Sequence, residues 1–401
     1  MLNSSENRKA PVRNIKKSPK RLRLRRLIVI LLIAAAAELS IIYYESAHQI
    51  AGFSRKPVIE LKGDDNLTLY LGDKYKDPGY TASAFNGKDL TGRVKVRSSA
   101  IRSDSTIMKT GNYKVHYTVT DNGQTAAKVR NITVTYHKPD PEDPDHGHGI
   151  AVCMYHNVYD PDNPPLNVDS NYISTDDLDA QLRYLVDNNY YFPTWKELRR
   201  YIDGEIDLPV KSVVLTFDDC DKLFQQYGIP LLEKEDVRAT SFVICTKNGK
   251  SVLKKYKNLK HVSFQSHSYD MHKPGGTIGH GGIFTALTEE EGVKDLKKSI
   301  DMLGTSDAFA YPFGDYTDTC EEAVKEAGFL CAFTTEYGQV HPGDDPYLLP
   351  RVRINGGCTV DEFAQAIQPD TGSPAENAAG SDDSSAGSSA VAAENSSSAT
   401  S

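Results

Sequence analysis

From residue 150 onward, short and almost uninterrupted apolar runs alternate with segments in which apolar residues recur every three or four positions. A continuous apolar run is typical of a strand buried on both faces, and the helical spacing between runs predicts covering helices. Repeated strand–helix units of this kind indicate a parallel sheet enclosed by helices. The predicted strands are Ile150–Tyr155, Val213–Phe217, Ala239–Ile244, His261–Ser266, Ala308–Tyr311 and Phe329–Phe333.

Threonine and glutamate three residues apart mark helix starts in two of these amphipathic segments. Thr288 with Glu291, and Thr319 with Glu322, have the spacing of a capping box, in which each side chain bonds the backbone N–H of the other residue. Gly328 is expected to end the second helix, because glycine readily adopts the left-handed conformation found at helix C-termini.

The stretch 57–136 has a different pattern, in which apolar and polar residues alternate. Tyr113–Thr120 alternates without interruption, Asp121–Gly123 has the composition of a tight turn, and Ile132–Tyr136 alternates again. This pattern predicts a small antiparallel β-sandwich. Together with Gly72–Tyr80, it resembles the immunoglobulin-like repeats of bacterial surface proteins. Because we find no cluster of catalytic residue types there, we expect a spacer, with glycan binding as the alternative.

The N-terminus predicts a membrane-targeting segment. Residues 1–26 carry ten Lys or Arg and one Glu, and residues 27–44 follow as 18 mostly apolar residues, about 27 Å long as a helix. A basic flank stays on the cytoplasmic side, so the rest of the chain is expected outside the cell membrane. Two interpretations stay open: an uncleaved single-pass anchor, which we favour, or a signal peptide cleaved near Ala34–Ala37, which would make the protein secreted.

Charge and composition characterise the remaining segments. Residues 1–26 have a net charge of +9, and the whole chain has a net charge of −8. The exported remainder therefore has a net charge of −17, which argues against a nucleic-acid partner. Residues 137–149 are rich in Pro and Asp, typical of a semi-rigid linker with solvated histidines. Residues 369–401 are mostly small or acidic and are expected to be disordered. Six cysteines permit disulfides in an exported protein, and buried free thiols are the alternative.

Two carboxylates and two imidazoles follow strands of the predicted sheet. Asp218 and Asp219 end one strand, and His267 and His272 follow a later one. Zinc accepts imidazole nitrogen and carboxylate oxygen, and a catalytic site keeps one position open. Because neighbouring side chains of a strand diverge, we assign Asp219 and both histidines to a metal and Asp218 to the activation of water. A five-residue step would place the two imidazole rings roughly 140° apart on a helix, so we expect a loop.

These residues resemble the motifs of a known enzyme family. Thr216–Asp219, Ser266–Ser268 with His272, and Ala310–Gly314 are similar to the first three motifs of the NodB-homology polysaccharide deacetylases, within residues 150–368. The resemblance implies a distorted (β/α) barrel with fewer than eight strands. It also implies a metal-dependent hydrolase, with zinc as the expected cofactor, that removes N-acetyl groups from glycans containing N-acetylglucosamine.

Three departures from the family pattern point to one branch. Ala310 stands where an Arg usually holds the catalytic Asp, no Leu-x-His occurs in residues 349–354, and Cys220 replaces a Gly. With the five-residue histidine step, these departures resemble the branch that includes poly-N-acetylglucosamine deacetylases of biofilm systems. In that branch the domain opens with a strand ending Met-Tyr-His, as Met154–His156 does.

The resemblance also implies roles beyond the metal ligands. The backbone N–H of Phe313 is expected to stabilise the oxyanion, with Tyr311 contributing to the same substrate site. His156 is our candidate for the acid that protonates the leaving amine, because it ends the first strand. Arg351 or Arg353 is expected to orient Asp218 in place of the missing Arg, although a surface ion pair explains either arginine equally well.

Two function classes remain open. The first is an exported deacetylase that acts on peptidoglycan or poly-N-acetylglucosamine, and the presence of all four Asp and His residues favours it. The second is a non-enzymatic surface protein that binds the cell wall, its site weakened by the missing Arg and terminal His.

Overall fold

The structure, a computed structural model, describes residues 19–53, 56–98, 101, 105–140, 142 and 146–370. By their internal contacts these residues divide into two compact units. The first holds the described residues of Met1–Leu67, Lys76–Ser103 and Asn112–Thr133, and the second holds those of Thr68–Tyr75, Asp104–Gly111 and Val134–Ser401. Two predicted segments lie largely outside the described residues. They are the basic stretch 1–26 and the tail 369–401, of which only the first two residues are described.

One long helix, α1, spans Pro19–Phe53 and contains the predicted membrane segment. Within it, Ile28–Ser46 is a stretch of 19 residues long enough and apolar enough to cross a bilayer. It overlaps the predicted 27–44 and extends slightly further, because Glu45 and Ser46 continue the helix without a break. A membrane anchor and a signal sequence share these properties, so both interpretations stay predictions.

The strands before residue 136 form two small sheets, and the alternating pattern predicted them. Strands β1 and β3 pair antiparallel, and the second sheet has the order β2-β6-β5-β4. Along β5, Val115, Tyr117 and Val119 are buried and the residues between them are more exposed. Asn122 adopts a φ of 47° in the turn that follows. The strands are β1 (Val58–Leu61), β2 (Asn66–Tyr70), β3 (Tyr80–Ser83), β4 (Lys95–Ser98), β5 (Gly111–Asp121) and β6 (Gln124–Thr135).

The second unit contains a closed barrel of seven parallel strands, fewer than eight as expected, in the order β10-β11-β12-β13-β14-β15-β7. Strands β8 (Asn157–Tyr159) and β9 (Tyr172–Ser174) form a separate parallel pair. The interior is apolar because almost every residue of β7, β10 and β11 is buried. The barrel strands are β7 (Ala151–Tyr155), β10 (Val213–Phe217), β11 (Ala239–Val243), β12 (Val262–Ser266), β13 (Ala308–Ala310), β14 (Cys331–Tyr337) and β15 (Leu349–Arg353).

Helices surround the barrel, and their caps test the predicted boundaries. The capping box of Thr288 and Glu291 is present, and Gly328 ends its helix in the left-handed conformation, so both predictions are confirmed. The box at Thr319 is wrong, because the side chain of Thr317 caps that helix two residues earlier. The helices are α2 (Thr175–Asp187), α3 (Trp195–Ile202), α4 (Ile229–Lys234), α5 (Lys250–Lys255), α6 (Glu289–Leu303), α7 (Asp318–Ala327) and α8 (Val360–Ala366).

Two further expectations are corrected by side-chain contacts. Of the histidines in the predicted linker, His137 is 47% exposed, but His146 Nδ1 lies 3.0 Å from the carboxylate of Asp207 and His148 is buried. All six cysteines are free thiols, and all except the partly exposed Cys358 are buried. The cysteines therefore pack as small apolar residues rather than forming disulfides.

Candidate active site

A cavity of about 440 Å³ opens at the carboxyl ends of the barrel strands. Parallel strands end at the same face of a barrel, so residues that directly follow different strands meet there. His156 follows β7, Asp218 and Asp219 follow β10, and His267 follows β12. The cavity is lined by His156, Asn171, Asp218, Asp219, His267, His272, His280, Tyr311, Phe313, Gly314, Thr335 and Arg353.

The three predicted metal ligands converge on one point of this cavity. One carboxylate oxygen of Asp219 and one nitrogen each of His267 and His272 all lie within 4.8 Å of one another. Asp219 Oδ1 is 3.6 Å from His267 Nε2 and 3.3 Å from His272 Nε2. The two rings approach each other across a loop, with their centroids 4.7 Å apart, as the five-residue spacing indicated.

The ring of His267 is held from behind. Its Nδ1 lies 2.8 Å from the carbonyl oxygen of Ala310, so Nδ1–H donates and Nε2 presents its lone pair towards Asp219. Burial is the main cause that lowers the pKa of His267 to about 4, although the carboxylate of Asp218 opposes it. The imidazole is therefore neutral near pH 7, the form in which it can bind a metal.

Asp218 pairs with a buried guanidinium. Arg351 donates from Nη1 to Asp218 Oδ1 at 2.8 Å and from Nη2 to Oδ2 at 2.9 Å. The exposed fractions of the two side chains are 0% and 4%, so the surface-pair interpretation of Arg351 is wrong. Burial raises the pKa of Asp218, but the charge and hydrogen bonds of Arg351, together with His267, more than offset it. The net pKa is lowered, and the carboxyl group is ionised.

Arg353 does not contact Asp218. It donates from Nε to Asn355 Oδ1 at 3.0 Å and from Nη2 to Asn171 Oδ1, at the rim of the cavity. Both arginines lie on the same face of β15, because side chains two residues apart in a strand point the same way. Arg353 is two residues closer to the carboxyl end of the strand, where the cavity opens. Of the two predicted candidates, the structure therefore pairs Asp218 with Arg351 alone.

Phe313 and Tyr311 follow β13 and also line the cavity. Phe313 has a φ of 63°, and its N–H finds no acceptor within the described part of the chain. The centroid of its ring lies 4.3 Å from that of His272, with the two rings tilted by 38°. Tyr311 is buried, and its hydroxyl also lacks a partner among the described residues. Burial raises the pKa of Tyr311, so the hydroxyl is a protonated donor.

His156 lines the cavity on the β7 side. Burial is the main cause of its lowered pKa, and the carboxylates of Asp218 and Asp219 act in the opposite direction. The ring is therefore close enough to both aspartates for their charges to act on its pKa.

Comparison with known proteins finds two family models that match parts of this chain. Residues 205–332 match the family model described as polysaccharide deacetylase, and residues 59–134 match the one described as bacterial surface protein, Ig-like domain. Residues 205–332 are therefore similar to a polysaccharide deacetylase domain. The first match covers the Asp pair, both histidine ligands and Phe313, and the second agrees with the small sheets before residue 136.

Individual relatives of the deacetylase domain have related descriptions. A poly-β-1,6-N-acetyl-D-glucosamine N-deacetylase of Staphylococcus epidermidis is 29% identical over 205 residues, which cover 46% of this chain and 69% of that protein. One of Staphylococcus aureus is 27% identical over 202 residues, covering 46% and 68%. A solved structure of IcaB from Ammonifex degensii is 27% identical, with a TM-score of 0.45, covering 55% of this chain and 98% of that one.

The residues of the deacetylase domain fit a divalent cation. Asp219 Oδ1 is buried and has no hydrogen-bond partner within the described ranges. It faces the lone pair of His267 Nε2, and two acceptors at 3.6 Å repel each other unless a cation lies between them. Two imidazole nitrogens and one carboxylate oxygen are a donor set that zinc takes in catalytic sites, where a further position stays open.

One pair at the cavity was missed by sequence reasoning. His280 was not among the predicted site residues; its side chain is 72% exposed, yet it lines the cavity and its Nδ1 lies 3.1 Å from Asp315 Oδ1. Asp315 is buried and also accepts the N–H groups of His280 and Gly282, both at 2.9 Å. The position of Asp315, directly after the Pro-Phe-Gly motif, was the available signal.

Proposed function

We propose that this chain is a divalent-cation-dependent deacetylase that removes N-acetyl groups from a surface polysaccharide containing N-acetylglucosamine, with zinc as the cation. The observation that carries the proposal is that one cavity holds both a metal donor set and a separate ionised base. Asp219, His267 and His272 provide the donors. Asp218, paired with Arg351, provides the base.

The residues divide the work of amide hydrolysis among them. When bound, a divalent cation at the three donors supplies Lewis-acid chemistry towards a carbonyl and towards water. Asp218 accepts the proton of the attacking water, and Arg351 holds both carboxylate oxygens so that the base does not need to reorient. The N–H of Phe313 donates to the developing oxyanion, and Tyr311 lines the cavity beside it.

His156 is the proposed proton donor to the leaving amine. It follows β7 at the same face of the barrel as Asp218 and lines the same cavity as Phe313. Loss of the amide C–N bond requires a proton on the departing nitrogen, and an imidazole within the cavity is suited to deliver it. Asp218 takes one proton from the attacking water, and His156 in its imidazolium form gives one proton to the departing amine. Transfer of the proton held by Asp218 to His156 then restores both residues.

The alternative of a non-enzymatic wall-binding protein loses its main support. It rested on a site weakened by two losses, the usual Arg of the third motif, where Ala310 stands, and the terminal His. Arg351 supplies the guanidinium from β15 instead and makes two charge-assisted hydrogen bonds to Asp218. The Ig-like segment before the deacetylase domain is then proposed as a spacer, and α1 as the anchor that keeps the enzyme at the outer face of the cell membrane.

The substrate proposed first is β-1,6-linked poly-N-acetylglucosamine, because two relatives are named poly-β-1,6-N-acetyl-D-glucosamine N-deacetylases. Acetate release is measured from this polymer, from peptidoglycan and from chitooligosaccharides, before and after chelation and after zinc is added back. We expect release from the first polymer that is lost on chelation and restored by zinc.

Controls make this result specific. Asp219→Asn is expected to abolish cation-dependent release, whereas Asp236→Asn, at an exposed carboxylate paired with His261 outside the cavity, is expected to retain it. Acetate release that is unaffected by chelation would refute the proposed dependence on a cation. A lack of acetate release from all three glycans would refute the proposed deacetylase activity.

A further inference from the structure

The turn that carries Asp219 has an unfavourable backbone conformation. Asp219 and Cys220 adopt φ values of 66° and 53°, so two consecutive residues other than glycine are left-handed. A Cβ atom crowds the backbone in this region, and such residues persist only where the surrounding structure holds them. Cys220 stands where the related family usually has glycine, so this chain carries strain that a glycine would avoid.

Two side-chain amides hold this turn from different elements. Asn248 Nδ2 donates to the carbonyl oxygen of Cys220 at 2.7 Å, with that of Asp219 at 3.5 Å. Gln225 Nε2 donates to the same Cys220 oxygen at 2.8 Å. Each amide belongs to a wide helical turn with π-type hydrogen bonding, Phe224–Gly228 for Gln225 and Cys245–Gly249 for Asn248. Such turns are often associated with functional sites.

The orientation of the Asn248 amide is set by these bonds. Its Oδ1 is buried and has no partner among the described residues. Exchanging the two ends of the amide would direct an oxygen at the Cys220 carbonyl, which repels it. The structure thus leaves one buried acceptor unsatisfied in order to place Nδ2 on the turn, which indicates that the carbonyl contact is the one that matters.

We propose that Asn248 and Gln225 are positioning residues that keep the strained Asp219–Cys220 turn in the conformation that presents Asp219 to the cation. The inference rests on the proposed function, because it concerns a ligand of the same site. Without the amides, the turn relaxes towards ordinary φ values. Relaxation at Cys220 rotates the peptide that follows Asp219 and moves its carboxylate away from His267 and His272.

A second-site test separates positioning from general structural support. Asn248→Ala is expected to weaken zinc and cobalt binding about tenfold or more in a chelator competition, the range found for groups that orient metal ligands. Glycine adopts positive φ without strain, so Asn248→Ala should cost less affinity when Cys220→Gly is also present. We expect the fold-loss in cation affinity to be smaller by a factor of about three or more in that background. The d–d absorption of the cobalt-loaded protein should change in Asn248→Ala and return towards wild type in the double variant.

The matched control removes the same kind of bond elsewhere. Asn188 donates from Nδ2 to the Tyr184 carbonyl at 2.9 Å at the end of α2. Asn188→Ala is expected to lower unfolding stability while cation affinity and the cobalt spectrum stay unchanged. If Asn248→Ala does not fold, Gln225→Ala with and without Cys220→Gly provides the same comparison.

The outcomes are distinct. Unchanged cation affinity in Asn248→Ala, or an equal loss in both backgrounds, would overturn the positioning role. If the wild-type protein itself binds neither cation, the proposed function fails instead, and the unaltered control shows this before any variant is examined.

Discussion

Removing the guanidinium from the barrel interior is expected to destabilise the protein more than removing both charges of the pair. Arg351 is fully buried and its two hydrogen bonds to Asp218 are 2.8 and 2.9 Å long. Arg351→Met replaces the guanidinium by an apolar group of similar length. It leaves the Asp218 carboxylate buried and without its partner.

The magnitude follows from what each variant leaves unpaired. Breaking a buried ion pair from one side costs about 3–5 kcal/mol, because an uncompensated charge remains. Arg351→Met combined with Asp218→Asn leaves no charge. It still deprives the Thr334 carbonyl of the Arg351 Nε donor at 2.9 Å, which costs about 1–3 kcal/mol. The double variant should therefore be more stable than Arg351→Met alone.

Urea unfolding of the chelator-treated protein measures this difference. Chelation is required because a bound cation would itself compensate the charge of Asp218. Trp195 is the only tryptophan, is buried and packs against Phe333 of the barrel, so its fluorescence follows unfolding of this unit. Arg183→Met, at an exposed pair with Asp179, should cost less than about 1 kcal/mol. A single variant as stable as the double variant would refute the reasoning.

Three further predictions concern the cavity and the thiols. His156→Ala should lower kcat about 10²- to 10⁴-fold, whereas His280→Ala should mainly raise KM; steady-state kinetics with the opposite pattern would exchange their roles. Gly282→Ala places a Cβ 2.9 Å from the Phe313 ring, so kcat/KM and the melting temperature should both fall, and wild-type values for both would contradict the close packing. In thiol titration, Cys358 alone should react in the folded protein and all six cysteines in denaturant; fewer than six would reveal a disulfide.

Much of the barrel could be predicted because its strands are apolar on both faces. Val213–Phe217 was predicted at its exact bounds, and the Asp pair that follows it needed only the rule that parallel strands end together. The loop carrying His267 and His272 followed from spacing alone. These features depend on local sequence, and neighbouring residues determine them.

Strand β15 was not predicted, because its sequence contradicts the pattern of a buried strand. Leu349–Arg353 contains a proline and two arginines, which normally exclude a central strand. Arg351 is tolerated there only because Asp218, 133 residues earlier in the chain, neutralises it. The pairing of His280 with Asp315 is long-range in the same way. The cap at Thr317 was missed for another reason, since two threonines two residues apart offer alternative starts.

The buried pair of Asp218 and Arg351 argues for catalysis over stability as the reason for this arrangement. Replacing a buried ion pair by apolar residues of similar volume is often neutral or stabilising by about 1–4 kcal/mol, so the barrel does not need these charges to fold. A wall-binding protein has no use for them either. The proposed hydrolysis does, because it requires different environments for the adjacent carboxylates. Asp218 faces a guanidinium and stays ionised, while Asp219 faces two imidazoles and keeps an oxygen without a hydrogen bond from any described residue. The barrel interior thus maintains the difference between the proposed base and the proposed metal ligand on which the proposed chemistry depends.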